Sequence, residues 1–206
     1  MNLLVATRNP HKFVEVEAIL RLPGLRLVSL ARLPNLLPSV AEDGATFEAN
    51  AAKKARELAL ATGMWTLADD SGLEVAALGG APGVHSARYA GRPGDDAANN
   101  RLLLQRLQGQ TERRACFRCV IAMASPNGTT RTVEGRCPGR IVTAPRGTHG
   151  FGYDPLFEPE GFSQTFAELP PETKNQISHR ARALRRAMEL WAEILCGDPR
   201  DWPMGD

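Results

Sequence analysis

The chain has 206 residues, of which 43% are hydrophobic and 23% charged, and its formal net charge is +2. This length fits one large domain or two lobes that share a core. The small charge argues against a nucleic-acid-binding protein, which is usually far more basic. The chain contains no apolar run of the roughly 20 residues that a membrane helix needs, and its N-terminus lacks a secretory signal. We therefore expect a cytoplasmic protein with no nucleic-acid or membrane partner.

The N-terminal segment predicts a strand over residues 2–6, followed by a helix. Asn9 is placed to cap this helix and Pro10 to occupy its first position. The apolar residues that would share one helical face are Phe13, Val16, Ile19 and Leu20. After a proline-rich connection over residues 33–38, Thr46 is expected to cap a second helix, from Phe47 to about Ala61, which Gly63 would end.

The segment WTLADDSGLEVAALGGAPG predicts a strand, a charged turn, a second extended stretch and a glycine-rich loop. Asp95 or Asp96 is expected to cap a helix over residues 97–107. Two β-like runs, CFRCVIAMAS and TTRTVEGRCPGRIV, follow, with a hairpin turn at 126–128 between them. The alternation of strands and helices, with one antiparallel pair, favours a mixed α/β fold.

Ser178 is predicted to cap the last long helix, and Gly197 to end it. The apolar stripe of this helix consists of Leu184, Met188, Trp191 and Leu195. We expect a single domain over residues 1–196 and a poorly ordered C-terminal tail over 197–206.

The four cysteines include a CxxC pair, Cys116 and Cys119, a spacing that occurs in redox couples and zinc sites. Their run predicts a strand, however, and residues three apart in a strand face opposite sides. Cys137 and Cys196 form no second pair. We interpret the cysteines as small, buried or half-buried thiols.

The turn between the first strand and helix is the first candidate site. A helix N-terminus attracts anions through its backbone N–H groups and dipole, and Arg8 and Lys12 would add full charges for a phosphate chain. The alternative is that both are solvated surface residues. The Walker A pattern GxxxxGK[ST] occurs nowhere in the chain.

The second candidate is the acidic run Asp69-Asp70-Ser71-Gly72. Adjacent carboxylates raise each other's pKa unless a cation compensates them, and Mg²⁺ prefers such oxygen ligands. A carboxylate held there could accept a proton from an attacking water. The alternative is an Asp-rich turn that uses its side chains as local acceptors. Glu42 is a further candidate ligand, although taken alone it is better explained as an acidic turn residue. Lys53 would face the phosphates, and Lys54 would be a solvated neighbour.

Two further clusters suit a nucleobase. In GFGYDP, the glycines on both sides of Phe151 leave its ring accessible for stacking, and Asp154 can accept from a base N–H. Lys174, His179 and Arg180 provide donors for a carbonyl oxygen. The alternatives are an aromatic turn packed on the core and a basic helix face.

Taken in order, the motifs TRNPHK, TFEANA, DDSGLEV, GAPGVHSARYAG, FGYDPLF and KNQISHRARAL resemble those of the inosine triphosphate pyrophosphatase family. The similarity extends from Leu3 to about Leu195. The resemblance implies a Mg²⁺-dependent enzyme that cleaves dITP, ITP or XTP into the monophosphate and pyrophosphate, so that they are not incorporated into DNA or RNA. It also implies an elongated mixed sheet with flanking helices, two lobes around a nucleotide-binding cleft, and a homodimer.

By motif, the resemblance implies that Asp70 is the proton acceptor and a metal ligand, with Glu42 as the second ligand. Lys53 and Asp69 would support the metal and phosphates. The residues implied to bind substrate are Thr7, Arg8, Asn9, Pro10, His11, Lys12, Ser71, Phe151, Gly152, Tyr153, Asp154, Lys174, His179 and Arg180. Many members carry glycine where this chain has Arg8, so we expect the phosphate contacts there to come from the backbone. The GAPGVHSARYAG segment would belong either to the cleft or to an interface.

A 6-oxo purine presents an acceptor where adenine has a donor. Donors at His179 and Arg180 would be left unpaired by ATP, at a cost of ~1–3 kcal/mol each, which favours inosine and xanthine nucleotides. Two alternatives remain: a Maf-type pyrophosphatase for modified pyrimidine nucleotides, and a sensor that binds nucleotide without hydrolysing it. The acidic residues Glu42, Asp69 and Asp70 argue against the sensor.

Overall fold

The structure is a computed structural model that describes residues 1–33 and 39–196. The predictions for the connection at 34–38, for Gly197 and for the tail at 197–206 fall outside the described residues. The elements are β1 (Asn2–Val5), α1 (Pro10–Ile19), β2 (Arg26–Ser29), α2 (Phe47–Thr62), β3 (Trp65–Val75), α3 (Asp96–Arg106), β4 (Arg114–Ala124), β5 (Thr130–Ile141), β6 (Phe157–Pro159), α4 (Pro171–Ile177), α5 (His179–Leu190) and α6 (Ala192–Cys196). Short 3₁₀ helices occupy Leu30–Arg32, Ala76–Leu78, Gly83–Arg88 and Asp154–Leu156.

The six strands form one sheet in the order β2-β1-β3-β4-β5-β6. Strand β1 runs parallel to both β2 and β3, whereas β6 runs antiparallel to β5. The sheet is therefore mixed, and the α/β prediction is confirmed. No helix within 1–33 or 39–196 is long and apolar enough to cross a membrane.

The chain divides into two compact units, each with its own hydrophobic core. Unit 1 consists of Met1–Asp70, Cys119–Gly135 and the chain from Ala183 onward; unit 2 consists of Ser71–Arg118 and Arg136–Arg182. The core of unit 1 includes Leu3, Val16, Leu67, Ile121, Leu184, Trp191 and Leu195, with Phe13, Ile19 and Met188 packed against it. The core of unit 2 includes Leu73, Leu103, Phe117, Leu156, Phe157 and Phe166. The predicted apolar stripes of the first and last helices thus face a core.

The predicted helix caps are confirmed by hydrogen bonds. The Asn9 side chain accepts from two amides of the first turn of α1, and Pro10 is the first helical residue. Thr46 caps α2, which ends at Gly63 with a φ of 64°; a left-handed C-cap of this kind favours glycine. Asp95 caps α3, and the Ser178 hydroxyl accepts from the Ala181 amide at 3.2 Å.

Two predictions about local structure are wrong. Asp69 and Asp70 do not lie in a turn, because β3 continues from Trp65 to Val75. Partners from α1 and α2 satisfy the two carboxylates, so these residues need not bend the chain to find local donors. The cysteines also differ from one another: Cys119 and Cys137 are buried and Cys116 is half-buried, as predicted, but Cys196 is exposed.

Candidate active site

The register of β1 on β3 places the loop before α1 beside the acidic run. The two parallel strands pair as far as Val5 opposite Leu67, and the Ala6 amide donates to the Leu67 carbonyl at 2.7 Å. Chain leaving the carboxyl ends of neighbouring parallel strands meets at one sheet edge, which is where open α/β sheets bind ligands. Asp69 and Asp70 therefore continue β3 beyond the end of β1.

The N-terminus of α1 is tightly capped. Asn9 Oδ1 accepts from the His11 amide at 2.9 Å and from the Lys12 amide at 3.3 Å, while Thr7 Oγ1 accepts from the Asn9 amide at 3.1 Å. Two of the amides that the sequence offers to a phosphate are thus engaged by the cap. The side chains of Arg8 and His11 are exposed, whereas Thr7 is buried.

Lys12 reaches the acidic run. Its Nζ lies 2.9 Å from Asp69 Oδ2, and only 3% of the Asp69 side chain is exposed. This ion pair explains how positive charge is stabilised at an already electropositive helix end, where an isolated cation would be unfavourable.

Asp70 is 6% exposed, and its Oδ2 accepts from Asn50 Nδ2 at 3.0 Å. Burial raises the pKa of Asp70 and the nearby Glu42 carboxylate adds to this, while the hydrogen bond from Asn50 and the charges of Lys12 and Lys54 oppose it. The main cause of the raised pKa is therefore desolvation. The sequence had suggested repulsion by Asp69 instead. A raised pKa makes this carboxylate a stronger base than an exposed aspartate.

The prediction that Lys54 of α2 is a solvated neighbour of Lys53 is wrong. Lys54 is mostly buried and forms an ion pair with Glu42, whereas Lys53 is more exposed and pairs with Asp43, whose side chain is 69% exposed. Burial acts to lower the pKa of Lys54, but the carboxylates of Asp69 and Glu42 outweigh it, and the net shift is upward. Lys54 is thus the lysine that neutralises the acidic run.

Glu42 and Asp70 form the donor set best suited to a cation. Both offer carboxylate oxygens, the ligands that Mg²⁺ prefers. A positive ion would also offset the repulsion between the Glu42 and Asp70 carboxylates. Within the described ranges, no three His, Cys, Asp or Glu residues are grouped so as to hold a metal by themselves. A metal held by this pair would need its remaining ligands from elsewhere.

In unit 2, the loop around Phe151 closes on Asp154. Asp154 Oδ2 accepts from the Phe151 amide at 2.9 Å and from Lys174 Nζ at 2.5 Å. A Cβ on Gly150 would lie 2.0 Å from Asp154 Oδ2, and Gly150 has a φ of 76°. Only glycine fits here, because both the space and the left-handed backbone exclude a side chain.

Cations lie against the half-buried Phe151 ring. Lys174 Nζ is 4.8 Å and Arg180 Cζ is 5.8 Å from the ring centroid, distances at which cation–π attraction operates. Arg180 is 1% exposed and donates to Ser71 Oγ at 2.9 Å. Four of the predicted substrate residues are therefore in one place.

The other predicted residues of this cluster are held by the protein. His179 is buried and stacks on Phe117, with ring centroids 4.6 Å apart and 10° between the planes. Tyr153 is 4% exposed, and its hydroxyl donates to the Ser86 carbonyl at 2.9 Å. By contrast, Arg182 and Arg186 are exposed, in keeping with a basic helix face beyond the cluster.

The structure gives four residues contacts at the candidate site that the sequence did not assign to them. From α2, Asn50 contacts Asp70 and Lys54 pairs with Glu42, while Asp96 and Asn100 contact Gly152 from α3. A signal for each pair existed, since residues four apart share one face of a helix. The partners of these residues could not be predicted in the same way, because they lie far away in the sequence.

The fold and these side chains define a mixed α/β protein with a buried carboxylate beside a strand–loop–helix unit, a site suited to an anionic ligand. The profile of the Ham1 family matches residues 3–190, and the chain belongs to this family. The resemblance inferred from the motifs is thereby confirmed.

Named relatives agree over almost their whole lengths. The chain is 54% identical over 192 residues to the dITP/XTP pyrophosphatase of Desulforamulus reducens, covering 92% of this chain and 95% of that one. A Ham1 protein structure from Coxiella burnetii has a TM-score of 0.85 at 38% identity, covering 94% of this chain and 99% of that one. The nucleoside-triphosphatase / dITP/XTP pyrophosphatase structure from Mycobacterium abscessus has a TM-score of 0.74 at 49% identity, covering 90% and 98%.

Proposed function

We propose that this protein is a nucleoside triphosphate pyrophosphatase that converts dITP, ITP and XTP into the monophosphate and pyrophosphate. Relatives that are about half identical in sequence are named dITP/XTP pyrophosphatases. The observation that carries the proposal is the state of Asp70: a buried carboxylate with a raised pKa, next to Glu42 and bounded by lysines. This is a carboxylate prepared to accept a proton.

In the reaction, water adds to a phosphorus of the α–β phosphoanhydride and the bridging P–O bond breaks. Attack at the α-phosphorus expels pyrophosphate with the bridging oxygen, whereas attack at the β-phosphorus expels the nucleoside monophosphate with it; in both cases the products are a nucleoside monophosphate and pyrophosphate. Asp70 accepts the proton that the water loses, because its burial makes it a stronger base than a solvated aspartate. Arg8, Lys12 and the N-terminal dipole of α1 attract the phosphate chain.

We propose a dependence on Mg²⁺, held by Glu42 and Asp70. When bound, such an ion neutralises the phosphate oxygens and polarises the reacting group. Lys54 supplies compensating charge in the protein itself, since it pairs with Glu42 and feels both Asp69 and Asp70. Asn50 keeps the Asp70 side chain in one orientation through its 3.0 Å hydrogen bond.

We assign the base to the unit 2 cluster. The Phe151 ring offers a stacking surface, and the cationic groups of Lys174 and Arg180 provide donors suited to a 6-oxo purine. His179, fixed by its stacking on Phe117, is the second predicted donor. An adenine amino group would leave such donors unpaired, which gives roughly ten- to hundredfold discrimination per group.

The cellular role follows from this chemistry. An enzyme that removes dITP, ITP and XTP keeps them from being incorporated into DNA and RNA, and we propose a cytoplasmic homodimer in that role.

The decisive experiment is pyrophosphate release from ITP, XTP, GTP, ATP and dTTP, with Mg²⁺ and with a chelator, for the wild type and Asp70→Asn. We expect fast turnover of ITP and XTP that requires metal and is lost in the variant. Preferential turnover of dTTP would support a Maf-type pyrophosphatase instead. Tight binding of ITP without pyrophosphate release would identify a sensor and refute the hydrolase.

A further inference from the structure

Helix α3 holds one residue of the Phe151 loop from both sides. Asp96 Oδ2 accepts from the Gly152 amide at 2.6 Å, and Asn100 Nδ2 donates to the Gly152 carbonyl at 2.9 Å. Asp96 and Asn100 are four residues apart and so lie on the same face of α3. Both backbone hydrogen-bonding groups of Gly152 are thereby committed to one helix.

The two hydrogen bonds from α3 to Gly152 are supported by a further contact at the neighbouring Phe151. Gly152 has a φ of 63°, a left-handed conformation that other residues avoid. The preceding residue, Phe151, is bound through its amide to Asp154. The backbone on both sides of the Phe151 side chain is therefore fixed, which sets the direction of the ring.

Helix α3 is itself bound to the GAPGVHSARYAG segment. Asn99 Oδ1 accepts from the Ala90 amide at 2.8 Å, and Asn99 Nδ2 donates to the Ala87 carbonyl at 3.4 Å. In the same segment, the Ser86 carbonyl accepts from the Tyr153 hydroxyl, and Ser86 Oγ accepts from the Leu73 amide at 2.9 Å. This segment thus supports the Phe151 loop both directly and through α3.

Asn100 is more than a packing residue. Its Oδ1 is buried and has no hydrogen-bond partner among the described residues, which is unfavourable for an amide. An apolar residue of similar size, such as leucine, would avoid that cost. What asparagine supplies and leucine does not is the Nδ2 donor to the Gly152 carbonyl.

We propose that Asp96 and Asn100 are positioning residues for base recognition, which act by holding the Gly152 peptide groups and thereby the Phe151 ring. The proposal rests on the proposed function, because it takes Phe151 to receive the base. Neither residue contacts the nucleotide. Loss of either contact frees the ring to turn, which weakens base binding and leaves the phosphate-binding residues of unit 1 unchanged.

The test compares Asp96→Ala and Asn100→Leu with Asp96→Asn, which keeps an acceptor oxygen, and with Arg101→Ala, an exposed control on α3. We expect the KM for ITP to rise about tenfold in Asp96→Ala and Asn100→Leu, with kcat changed less than about threefold. Product inhibition by pyrophosphate should stay at the wild-type level. Asp96→Asn and Arg101→Ala should remain within about twofold of wild type in KM.

A second readout requires no substrate. Hydrogen exchange of the Gly152 amide, followed by NMR in the nucleotide-free protein, should be at least about tenfold faster in Asp96→Ala and unchanged in Arg101→Ala. Unchanged exchange in Asp96→Ala, or a parallel loss of pyrophosphate inhibition and ITP binding, would overturn the proposal. If the wild type released no pyrophosphate from any nucleotide, the proposed function would fail, and the exchange rates would still decide whether α3 holds the loop.

Discussion

Asp70 in unit 1 and Asp154 in unit 2 are both nearly inaccessible, with 6% and 2% of their surfaces exposed. Asp70 accepts from the neutral amide of Asn50, and its pKa is raised mainly by burial. Asp154 accepts directly from the ammonium of Lys174 and from a backbone amide. Burial alone therefore does not decide what a carboxylate does. At Asp70 burial outweighs the neighbouring cations and the carboxylate becomes more basic, whereas at Asp154 a direct bond from the Lys174 ammonium holds the carboxylate in an ion pair.

The largest effect is expected on turnover in Asp70→Asn. The substitution keeps the size of the side chain and an oxygen that can accept from Asn50, but it removes the base. We expect kcat for ITP to fall by about 10²–10⁴-fold, the range for loss of a positioned base. In metal-free buffer, the melting temperature should rise by about 2–4 °C, as about 1 kcal/mol would give in a chain of this size, because a buried charge is removed.

The expected combination in Asp70→Asn is thus lower activity with higher stability. Calorimetry and steady-state kinetics on the same preparation would measure both. A variant that retains more than half of the wild-type kcat would show that another group accepts the proton.

The opposite pattern is expected for Asp154→Asn. This change leaves the Lys174 ammonium, whose side chain is 6% exposed, without its counter-ion in the interior. Breaking a buried ion pair by removing one partner typically costs about 3–5 kcal/mol. We expect a loss of that size in the free energy of unfolding, measured by urea denaturation.

A double variant separates this cost from a general packing defect. Asp154→Asn with Lys174→Met removes both charges, so most of the lost stability should return, while ITP binding stays weak. If the double variant is as unstable as Asp154→Asn, the ion pair is not the source of the loss.

An intermediate effect is expected from the neighbouring lysines of α2. Lys54→Met leaves Glu42, Asp69 and Asp70 with less compensating charge, and we expect a loss of about 1–3 kcal/mol at neutral pH. Lys53→Met breaks an exposed pair with Asp43 and should change stability little. Urea denaturation of the two variants side by side tests the comparison, and equal losses would contradict the assignment of Lys54 to the acidic cluster.

The lysines also show how far the sequence could predict the site. Local signals were sufficient for the caps at Asn9 and Thr46, because a cap is formed by residues within one turn. Lys53 and Lys54 could have been distinguished, since Lys54 lies four residues before the apolar Leu58 and therefore shares its helical face. The prediction that Lys54 is solvated did not take this periodicity into account.

Other features depended on contacts that no local pattern specifies. The acidic run suggested a turn because Asp and Gly are common in turns, whereas β3 continues through it and the carboxylates contact Lys12 and Asn50. The contact between Asp96 and Gly152 joins residues 56 positions apart. Both motifs were visible in the sequence, but their pairing is a property of the fold.

The smallest effect is expected at Glu158, a carboxylate of unit 2 outside the candidate site, which forms salt bridges with Arg140 and Arg146. The hydrogen bond from Arg140 is the main cause that lowers the pKa of Glu158 below its ordinary value of 4.5. A lowered pKa in the folded state means that the ionised group stabilises the fold above pH 4.5 and that this contribution is lost as the pH falls through the folded value. The Glu158 side chain is only 7% exposed, but those of Arg140 and Arg146 are 65% and 40% exposed, so solvent screens both pairs; Glu158→Gln, which can still accept a hydrogen bond, should cost about 1 kcal/mol at pH 7. Thermal denaturation of the wild type and the variant should differ at pH 7, and the difference should shrink as the pH falls below 4.5. A difference that stays constant as the pH falls through the folded pKa would show that Glu158 stabilises unit 2 through packing rather than through its charge.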